Sequence, residues 1–441
     1  MAYVPIDVVE VLAWGRTVGA VALDPRSGFY VFEYDPAWRR SGVELAPTTM
    51  PTTTARHVFP ALPPVTFHRL PALLADALPD DFGNALTTAF LVNEGVDRAS
   101  ITPLDRLAYL GKRGTGALEF KPARGHSTRK PTAVALSELV TAARSAVTGG
   151  FASGDGITEA FSHLIAVGTS AGGARAKAVI SWNAETDEVR SGQLAADPGF
   201  QQWLVKLDGV GPDLDLGESS DYGRIEYAYH CMALAAGITM TECRLLREGG
   251  RSHFMTRRFD RPSDGSKVHM QTLCALAHLD FRQLGVHDYA ELFDLIDRLD
   301  LGPDARAEAF RRMVFNVAAA NCDDHTKNVS FLLEEGGRWR LSPAYDMTHA
   351  HNPAGGWTAE HLTAVNGRRA DITGDDLRIV ADRFAVPDAR RILTQVLAGV
   401  DSWSELALQA GVSPGAAARV GRDIRTWSKP LRSTLRVRSR K

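Results

Sequence analysis

The chain of 441 residues is long enough for two or three domains, and its apolar content of 44% is ordinary for a globular protein. Its formal net charge of −2 excludes a general electrostatic attraction to nucleic acid or to an anionic membrane. The four cysteines form no Cys-x-x-Cys pair, the first residues carry no basic leader, and no apolar run reaches the roughly 18 residues that span a bilayer. We therefore expect a cytoplasmic protein with reduced thiols and no membrane segment.

The first 130 residues predict a strand-rich domain. Within residues 4–33, short apolar runs are separated by turn residues such as Gly15. The predicted strands lie at residues 6–12, 17–23 and 29–34. A helical region is predicted near residues 81–95, and the basic, turn-rich stretch 122–131 predicts the end of the domain.

Residues 131–262 predict a second domain that mixes strands with one long helix. Helical spacing of apolar residues covers 224–236 and stops at Gly237, a residue that favours helix ends. The predicted strands lie at residues 176–182, 202–207, 243–246 and 253–259. Helical patterns then dominate residues 263–441, which form the third predicted domain. This order indicates an α+β protein with a mixed α/β amino-terminal half and a mostly α-helical carboxy-terminal lobe.

The segment Asn-Cys-Asp-Asp-His-Thr-Lys-Asn at residues 321–328 has the polar layout of a phosphoryl-transfer centre. Asp323 and Asn328 are five positions apart, as are the Asp and Asn of the protein-kinase catalytic loop, and Asp346 follows eighteen residues later. This spacing predicts Asp323 as the base, with Asn328 and Asp346 as ligands of Mg²⁺. The pattern Asp-x-His-x-x-Asn also resembles phosphoinositide-type kinases, so a small-molecule or lipid kinase is an alternative.

A glycine-rich loop precedes the strand at 176–182. Gly168 and Gly173 have the interval of a Walker A loop, but Ala174 and Arg175 stand where Lys and Ser or Thr are required, which excludes that motif. Small residues nevertheless let backbone N–H groups approach phosphate oxygens, and Arg175 and Lys177 add positive charge. The alternative is a flexible surface turn.

Further polar residues have a functional and a structural interpretation. Lys206 ends an apolar strand from which it would reach phosphates and pair with Glu226, or it is a solvated lysine on an edge strand. Glu226 lies in the first turn of a helix, where carboxylates are favoured anyway. His325 either orients the catalytic loop or simply packs in it. His349 and His351 match no common zinc spacing.

Taken in order, these segments resemble the HipA family of bacterial serine/threonine kinases, the toxins of toxin–antitoxin pairs linked to drug persistence. The resemblance covers most of the chain. It is carried by Ser-Ala-Gly-Gly-Ala-Arg-Ala-Lys at 170–177, Phe-Asp-Arg at 259–261, Asp-Asp-His-Thr-Lys-Asn-Val-Ser at 323–330 and Leu-Ser-Pro-Ala-Tyr-Asp at 341–346. It implies a two-lobed, protein-kinase-like fold.

The resemblance also implies roles for individual residues. Asp323 would be catalytic, Asn328 and Asp346 would bind Mg²⁺, and Ser170 would be autophosphorylated, which adds negative charge to a phosphate-binding loop. The residues implied to contact ATP are Gly172, Gly173, Ala174, Arg175, Ala176, Lys177, Lys206, Arg257, Phe259, His325, Asn328, Tyr345 and Asp346. Two residues depart from the family pattern: Arg257 stands where an acidic hinge residue is common, and Asp324 replaces a small residue. The second departure would raise the pKa of the base or recruit another cation.

The implied function is an ATP- and Mg²⁺-dependent protein serine/threonine kinase that arrests growth. Its expected partners are a small HipB-like helix-turn-helix antitoxin and a protein substrate, with an aminoacyl-tRNA synthetase as the leading candidate. Contact with DNA is expected only through the antitoxin. A different class of function is a non-catalytic co-repressor that acts through a DNA-binding partner.

Overall fold

The fold was analysed in a computed structural model, which describes residues 5–79, 81–93, 95–124, 140, 176–192, 196–208, 221–248 and 250–436. None of the helices within these ranges combines the length and the apolar character needed to cross a membrane.

An antiparallel sheet organises the amino-terminal part of the described chain, with strand order β4-β3-β2-β1-β5. Its strands are β1 (Val8–Ala13), β2 (Arg16–Asp24), β3 (Phe29–Tyr34), β4 (Arg56–His57) and β5 (Leu118–Lys121). The first three lie within two residues of the predicted bounds. The accompanying helices are α1 (Pro36–Ser41), α2 (Pro64–Phe67), α3 (Ala72–Ala75), α4 (Asp81–Asn93) and α5 (Pro103–Leu110). The helix predicted near 81–95 is therefore present as α4.

A second antiparallel sheet has the order β7-β6-β8-β10-β9. Its strands are β6 (Lys177–Trp182), β7 (Val189–Ser191), β8 (Gln201–Lys206), β9 (Cys243–Glu248) and β10 (Arg251–Arg257). Helix α6 (Tyr222–Ala235) packs against this sheet, and it ends before Gly237, whose φ of 80° continues the chain in the left-handed region. One face of the sheet has its own apolar core, which includes Ile180, Trp203 and Met255.

The carboxy-terminal part is mainly helical. Its helices are α7 (Leu273–Leu276), α8 (Ala290–Arg298), α9 (Gly302–Ala318), α10 (Gly374–Arg383), α11 (Ala389–Asp401), α12 (Trp403–Gln409) and α13 (Pro414–Arg436). A small sheet of β11 (His269–Thr272), β12 (Ser330–Leu333) and β13 (Trp339–Leu341) lies beside them. The β12–β13 hairpin interrupts a region where only helices were predicted. Four consecutive residues of β12 are buried, so the strand lacks the alternation that distinguishes a strand from a helix.

Helix α9 delivers the chain to the segment that begins at Asn321. Its residues Phe310, Met313, Val314 and Val317 are buried on one face, as their spacing predicts. These side chains belong to a core that is continuous with the first sheet and α6. The polar segment after α9 is therefore held on a packed base.

Candidate active site

Lys206 and Glu226 form an ion pair at the edge of the second sheet. Lys206 ends β8, and its Nζ donates to Glu226 Oε1 at 2.5 Å and also to the Asp346 carboxylate. Glu226 is only 2% exposed on α6. Burial lowers the pKa of Lys206, but the two carboxylates raise it more, and the net shift is upward. The ammonium group is thus held charged at a defined position.

Asp346 lies in a tightly constrained turn. Its φ of 53° is unusual for a residue with a Cβ, and the turn is supported by Asn321, whose Nδ2 donates to the Asp346 carbonyl at 3.4 Å. Upstream, Arg312 Nη2 donates to the Ser342 carbonyl at 2.8 Å. Burial raises the pKa of Asp346, but the charges of Lys206 and Lys177 more than offset this and lower it. Asp346 therefore presents an ionised carboxylate.

The Asp323 carboxylate lies nearby with a different set of partners. Trp357 Nε1 donates to its Oδ1 at 2.7 Å, and His325 Nε2 lies 3.8 Å from the same oxygen. The side chain keeps 38% of its surface exposed. Burial of the carboxyl group raises its pKa, while His325 and Trp357 oppose that rise. A carboxylate of raised pKa with open access is suited to accept a proton.

Asn328 follows Asp323 through a 3₁₀ turn, Thr326–Asn328. Its Nδ2 donates to the Asp323 backbone carbonyl at 2.8 Å. Because the amide nitrogen is used in this way, Oδ1 is the atom that Asn328 can offer to a ligand. Asn328 lines the same cleft as Asp346, and a carboxylate with an amide oxygen is a donor set that Mg²⁺ prefers. These residues therefore fit the predicted metal.

The cleft between the second sheet and the carboxy-terminal helices has a polar and an apolar part, with about 1010 Å³ of empty space out to its mouth. The polar part holds Lys206, Glu226, Asn328 and Asp346. The apolar lining includes Leu204, Met240, Phe254, Phe259 and Met347. Such a division matches a nucleotide, with its base against apolar side chains and its phosphates near the lysine.

About half of the residues predicted to contact ATP lie together in the cleft, and several others are outside the described residues. The predicted residues that line the cleft are Lys206, Glu226, Arg257, Phe259, Asn328, Tyr345 and Asp346. Phe259 and Tyr345 are in ring contact, with centroids 5.9 Å apart. Asp323 and His325 lie beside the cleft rather than in its lining. Ser170 and the loop residues Gly172, Gly173, Ala174 and Arg175 lie outside the described residues, so their roles stay predictions.

Ala176 and Lys177 are described, and both are buried at the start of β6. Lys177 pairs across the sheet with Lys206. Its charge lowers the pKa of Asp346, although less than the charge of Lys206 does, and both act against the effect of burial. Lys177 is therefore a strand residue close to the acidic end of the cleft.

Asp324 has a structural role that the sequence did not predict. Its side chain is 1% exposed and accepts hydrogen bonds from Tyr289 Oη at 3.0 Å and His361 Nδ1 at 2.9 Å. The backbone N–H groups of Leu362 and Thr363 donate to its other oxygen at 2.8 and 3.3 Å. With both oxygens engaged, Asp324 anchors the catalytic segment. The charge of Asp324 raises the pKa of Asp323, as expected, but its effect is smaller than those of burial, His325, Trp357 and Asp346.

His349 and His351 both contact the carboxylate of Asp423. His349 Nε2 lies 2.9 Å from Asp423 Oδ2, and His351 Nδ1 lies 3.4 Å from the same oxygen. Within the described ranges, no three His, Cys, Asp or Glu side chains are arranged to hold a metal ion. The pair connects the segment after Asp346 to α13.

Sequence reasoning missed three residues of this site, which are Trp357, Asp76 and Thr272. Trp357 contacts Asp323 from a loop with no recognisable motif. Only its position between Gly355-Gly356 and the family segment at 361–367 hints at it. Asp76 of the amino-terminal domain accepts from Thr272 N and Oγ1, both at 2.8 Å, and both residues line the cleft. No local signal marks Asp76, because its partner lies far away in sequence.

Comparison with protein families supports this architecture. The model of the HipA N-terminal domain matches residues 9–121, and the model of the HipA-like C-terminal domain matches residues 169–404, more than half of the chain. The chain belongs to the HipA family. The resemblance predicted from the motifs is therefore confirmed. The predicted domain limits at 130 and 262 are not tested by these matches and stay predictions.

A solved HipA structure shares the fold. HipA of the Shewanella oneidensis MR-1 toxin–antitoxin system, solved with HipB and operator DNA, aligns with a TM-score of 0.65 at 14% identity, over 96% of each chain. The proinflammatory kinase CtkA of Helicobacter pylori aligns with a TM-score of 0.39 at 11% identity, over 60% of this chain and 92% of that chain. The first likeness confirms the predicted two-lobed HipA-like α+β fold, and the second is too slight to support an argument.

Proposed function

We propose that this HipA-family chain is an ATP- and Mg²⁺-dependent protein serine/threonine kinase. The observation that carries the proposal is the junction of Lys206, Glu226 and Asp346 at one end of a partly apolar cleft, with Asp323 and Asn328 beside it. Phosphoryl transfer requires mainly positioning and charge neutralisation, and this set supplies both.

The residues divide the work as follows. Lys206, kept in place by Glu226, holds the nucleotide phosphates, and the apolar wall with Phe259 holds the base. Asn328 Oδ1 and Asp346 would hold Mg²⁺, which neutralises charge on the phosphates when bound. Asp323 Oδ2 takes the proton of the attacking hydroxyl while Trp357 retains Oδ1. The hydroxyl oxygen then bonds to the γ-phosphorus, and the bond from that phosphorus to ADP breaks.

Self-modification belongs to the same proposal. Ser170 would be the autophosphorylated residue, and the loop at 172–177 would cover the bound ATP. The support is the sequence resemblance to the family, together with the placement of Lys177 at the head of β6. A phosphate on Ser170 would bring nearly two negative charges to a loop that faces phosphates and would weaken ATP binding.

Intact-mass spectrometry of the purified protein tests the chemistry. Wild type incubated with ATP and Mg²⁺ is expected to gain one phosphate, mapped to Ser170, and the isosteric variant Asp323→Asn is expected to gain none. Asp382→Asn, which changes an exposed carboxylate on α10, is the matched control and should behave as wild type. Absent ATP binding in wild type would contradict the kinase proposal. Intact binding without a mass gain would remove only the autophosphorylation claim.

The biological setting proposed is a growth-arresting toxin restrained by a small HipB-like helix-turn-helix antitoxin. Family membership supports it, as does the shared fold with the Shewanella HipA that was solved with HipB and operator DNA. DNA contact would then be indirect. The product of a neighbouring reading frame should co-purify with the chain and relieve growth arrest. If the frame encodes no such protein and none co-purifies, the antitoxin proposal fails.

The proposed substrate is a protein, with an aminoacyl-tRNA synthetase as the first candidate. Labelled γ-phosphate supplied to a cell extract should appear in protein and depend on Asp323. Label that appears in lipid or in a small molecule would support the alternative kinase class. Growth arrest that persists in Asp323→Asn would instead support the non-catalytic co-repressor.

A further inference from the structure

A second pocket adjoins the Arg257 end of the nucleotide cleft. It lies between the turn after α5, the segment before β8 and the β10–β11 connection, with about 1350 Å³ of empty space out to its mouth. Arg257 and Arg258 line both the cleft and this pocket. The pocket is therefore next to the proposed nucleotide site, on the side away from Lys206.

The pocket has an excess of positive charge. Asp197 is the sole carboxylate among its described lining residues, and Arg190 Nη1 already lies 2.6 Å from it. The cationic residues of the lining are Lys112, Arg113, Arg257, Arg258, Arg261 and Lys267.

Two carboxylates next to the pocket, those of Asp260 and Glu119, each pair with two of the cations. Asp260 Oδ2 lies 2.7 Å from Arg258 Nη2 and 2.8 Å from Arg261 Nη1. Glu119 lies 2.8 Å from Lys267 Nζ and 3.7 Å from Lys112 Nζ. One negative charge cannot neutralise two positive ones, so each of these clusters keeps a surplus.

The surplus is also evident in the titration of Lys267. Burial lowers its pKa, and the charge of Arg261 lowers it further, although Glu119 lies in contact. Repulsion from Arg261 therefore acts on Lys267 in addition to burial. A bound anion would relieve that repulsion.

Arg257 gives the pocket a direct link to the cleft. Among the described residues, its guanidinium has no hydrogen-bond or ion-pair partner, while its backbone N–H donates to the Glu242 carbonyl at 2.9 Å. A planar guanidinium is well suited to bind phosphate oxygens through two parallel hydrogen bonds.

We propose that this pocket is a binding site for a compact anion that carries two or more phosphoryl groups. The cations come from separate segments of the chain around one concave space, which suits a small polyanion better than the extended backbone of a nucleic acid. The site is independent of the kinase assignment, because it uses neither Asp323 nor Lys206. Through Arg257, its occupant would touch the Arg257 end of the nucleotide cleft.

Isothermal titration of the full chain with inorganic pyrophosphate, without Mg²⁺, tests the site. Lys112 lines this pocket and not the cleft, and its side chain is 70% exposed, so Lys112→Gln should fold normally. Loss of one charge-assisted hydrogen bond is expected to weaken binding about tenfold in this variant and also in Arg257→Gln. Arg338→Gln removes an exposed charge elsewhere and should change the affinity by less than about twofold.

Lys206→Gln separates the two sites, since Lys206 lines the cleft alone. Unchanged pyrophosphate binding in this variant, with loss in Lys112→Gln, supports the proposal. Loss in Lys206→Gln with none in Lys112→Gln places the ligand in the nucleotide cleft and overturns it. Equal loss in Arg338→Gln shows non-specific attraction, and tighter binding of a short single-stranded oligonucleotide that displaces pyrophosphate shows a nucleic-acid surface. Either result overturns the proposal.

Discussion

In the proposed kinase, Asp323 would have to accept a proton although protein surrounds much of it. Burial alone favours the neutral acid, and the Trp357 N–H and His325 favour the charged form. Asn328 contributes in a different way, because it binds the Asp323 backbone carbonyl and leaves the carboxylate oxygens alone. At this scale, the reactivity of one side chain is decided by a few donors at less than 4 Å.

Replacing Trp357 with phenylalanine keeps an aromatic ring, although a smaller one, and removes the N–H that lowers the pKa of Asp323. The pKa should rise further, so the acidic limb of kcat/KM against pH should move upward by about one pH unit. Phosphotransfer measured across the pH range checks this. Trp339→Phe removes an indole donor to the Glu44 carbonyl, away from the site, and should leave the profile unchanged. If the pH profile of Trp357→Phe is not shifted, the Trp357 N–H does not set the pKa of Asp323.

At the scale of elements, the close approach of α6 to β10 places Glu226. A Cβ built on Gly223 would lie 2.1 Å from the Ser252 carbonyl oxygen, a distance no side chain tolerates. Glycine therefore lets the first turn of α6 lie directly on the strand. The position of Glu226, one turn later, depends on that contact, and so does its reach to Lys206.

Gly223→Ala is accordingly expected to push α6 away from β10. The free energy of unfolding should fall by about 1–3 kcal/mol, and ATP affinity should fall as Glu226 withdraws from Lys206. Urea denaturation and nucleotide titration measure the two effects. A Cβ at Gly415, near the start of α13, meets nothing within 4 Å, so Gly415→Ala should leave ATP affinity unchanged and should not lower the free energy of unfolding. If ATP affinity is unaltered in Gly223→Ala, the position of α6 does not control nucleotide binding.

Helix α13 holds the segment after Asp346 through Asp423. Burial raises the pKa of this carboxyl group, but hydrogen bonds and charges from His349 and His351 outweigh burial and lower it. A group whose pKa is depressed in the folded state stabilises the fold above its unfolded pKa, and the stabilisation disappears as the pH falls toward the folded value. The contact is therefore an acid-sensitive link between an element and the site.

Asp423→Asn should lower the free energy of unfolding by about 1–3 kcal/mol at neutral pH. The difference from wild type should shrink progressively below about pH 5, where the wild-type carboxylate begins to be protonated in the unfolded chain. Urea unfolding at a series of pH values measures it. Asp375→Asn changes an exposed carboxylate on α10 and serves as the control. A difference that stays constant down to low pH would rule out the charge as its origin.

At the scale of the whole molecule, Asp260 joins the amino-terminal domain to the rest. Its Oδ2 accepts from Gly116 N at 2.8 Å, while Arg261 Nη2 donates to the Gly114 carbonyl at 2.6 Å. The same domain contributes Asp76 and Thr115 to the proposed nucleotide cleft. The two arginines beside Asp260 are mostly buried, so the carboxylate is needed to balance their charge.

Asp260→Asn would leave two buried guanidinium groups without a carboxylate. Breaking a buried pair in this way costs about 3–5 kcal/mol, so the urea midpoint should fall strongly. Nucleotide affinity should fall with it, because the amino-terminal domain lines part of the cleft. Asp264→Asn, in an exposed turn four residues later, should have little effect on the midpoint. A midpoint equal to that of wild type would show that the domains are joined mainly by apolar contacts.

The sequence by itself determined the family of the chain and predicted which residues would form its site. Asp323, Asn328 and Asp346 are recognisable because a short loop requires particular residue types at short, regular spacing. Lys206 was identifiable from its place at a strand end. Glu226 was correctly named as its partner, but the predicted position in the first turn was wrong, because α6 begins at Tyr222 and Glu226 lies one turn further on. The strands of the first sheet and the buried face of α9 were also predictable, since apolar periodicity is a local property.

Only the tertiary structure decided which distant residues complete the site. Trp357, Asp76 and the anchors of Asp324 are brought to the catalytic segment by packing of elements that carry no shared local signal. The same is true of the positive pocket. Its cations come from separate segments, and they form a site only when folding brings those segments together. Hydrogen bonds and charge act over a few ångströms, so their partners are set by position in space rather than by position in the sequence.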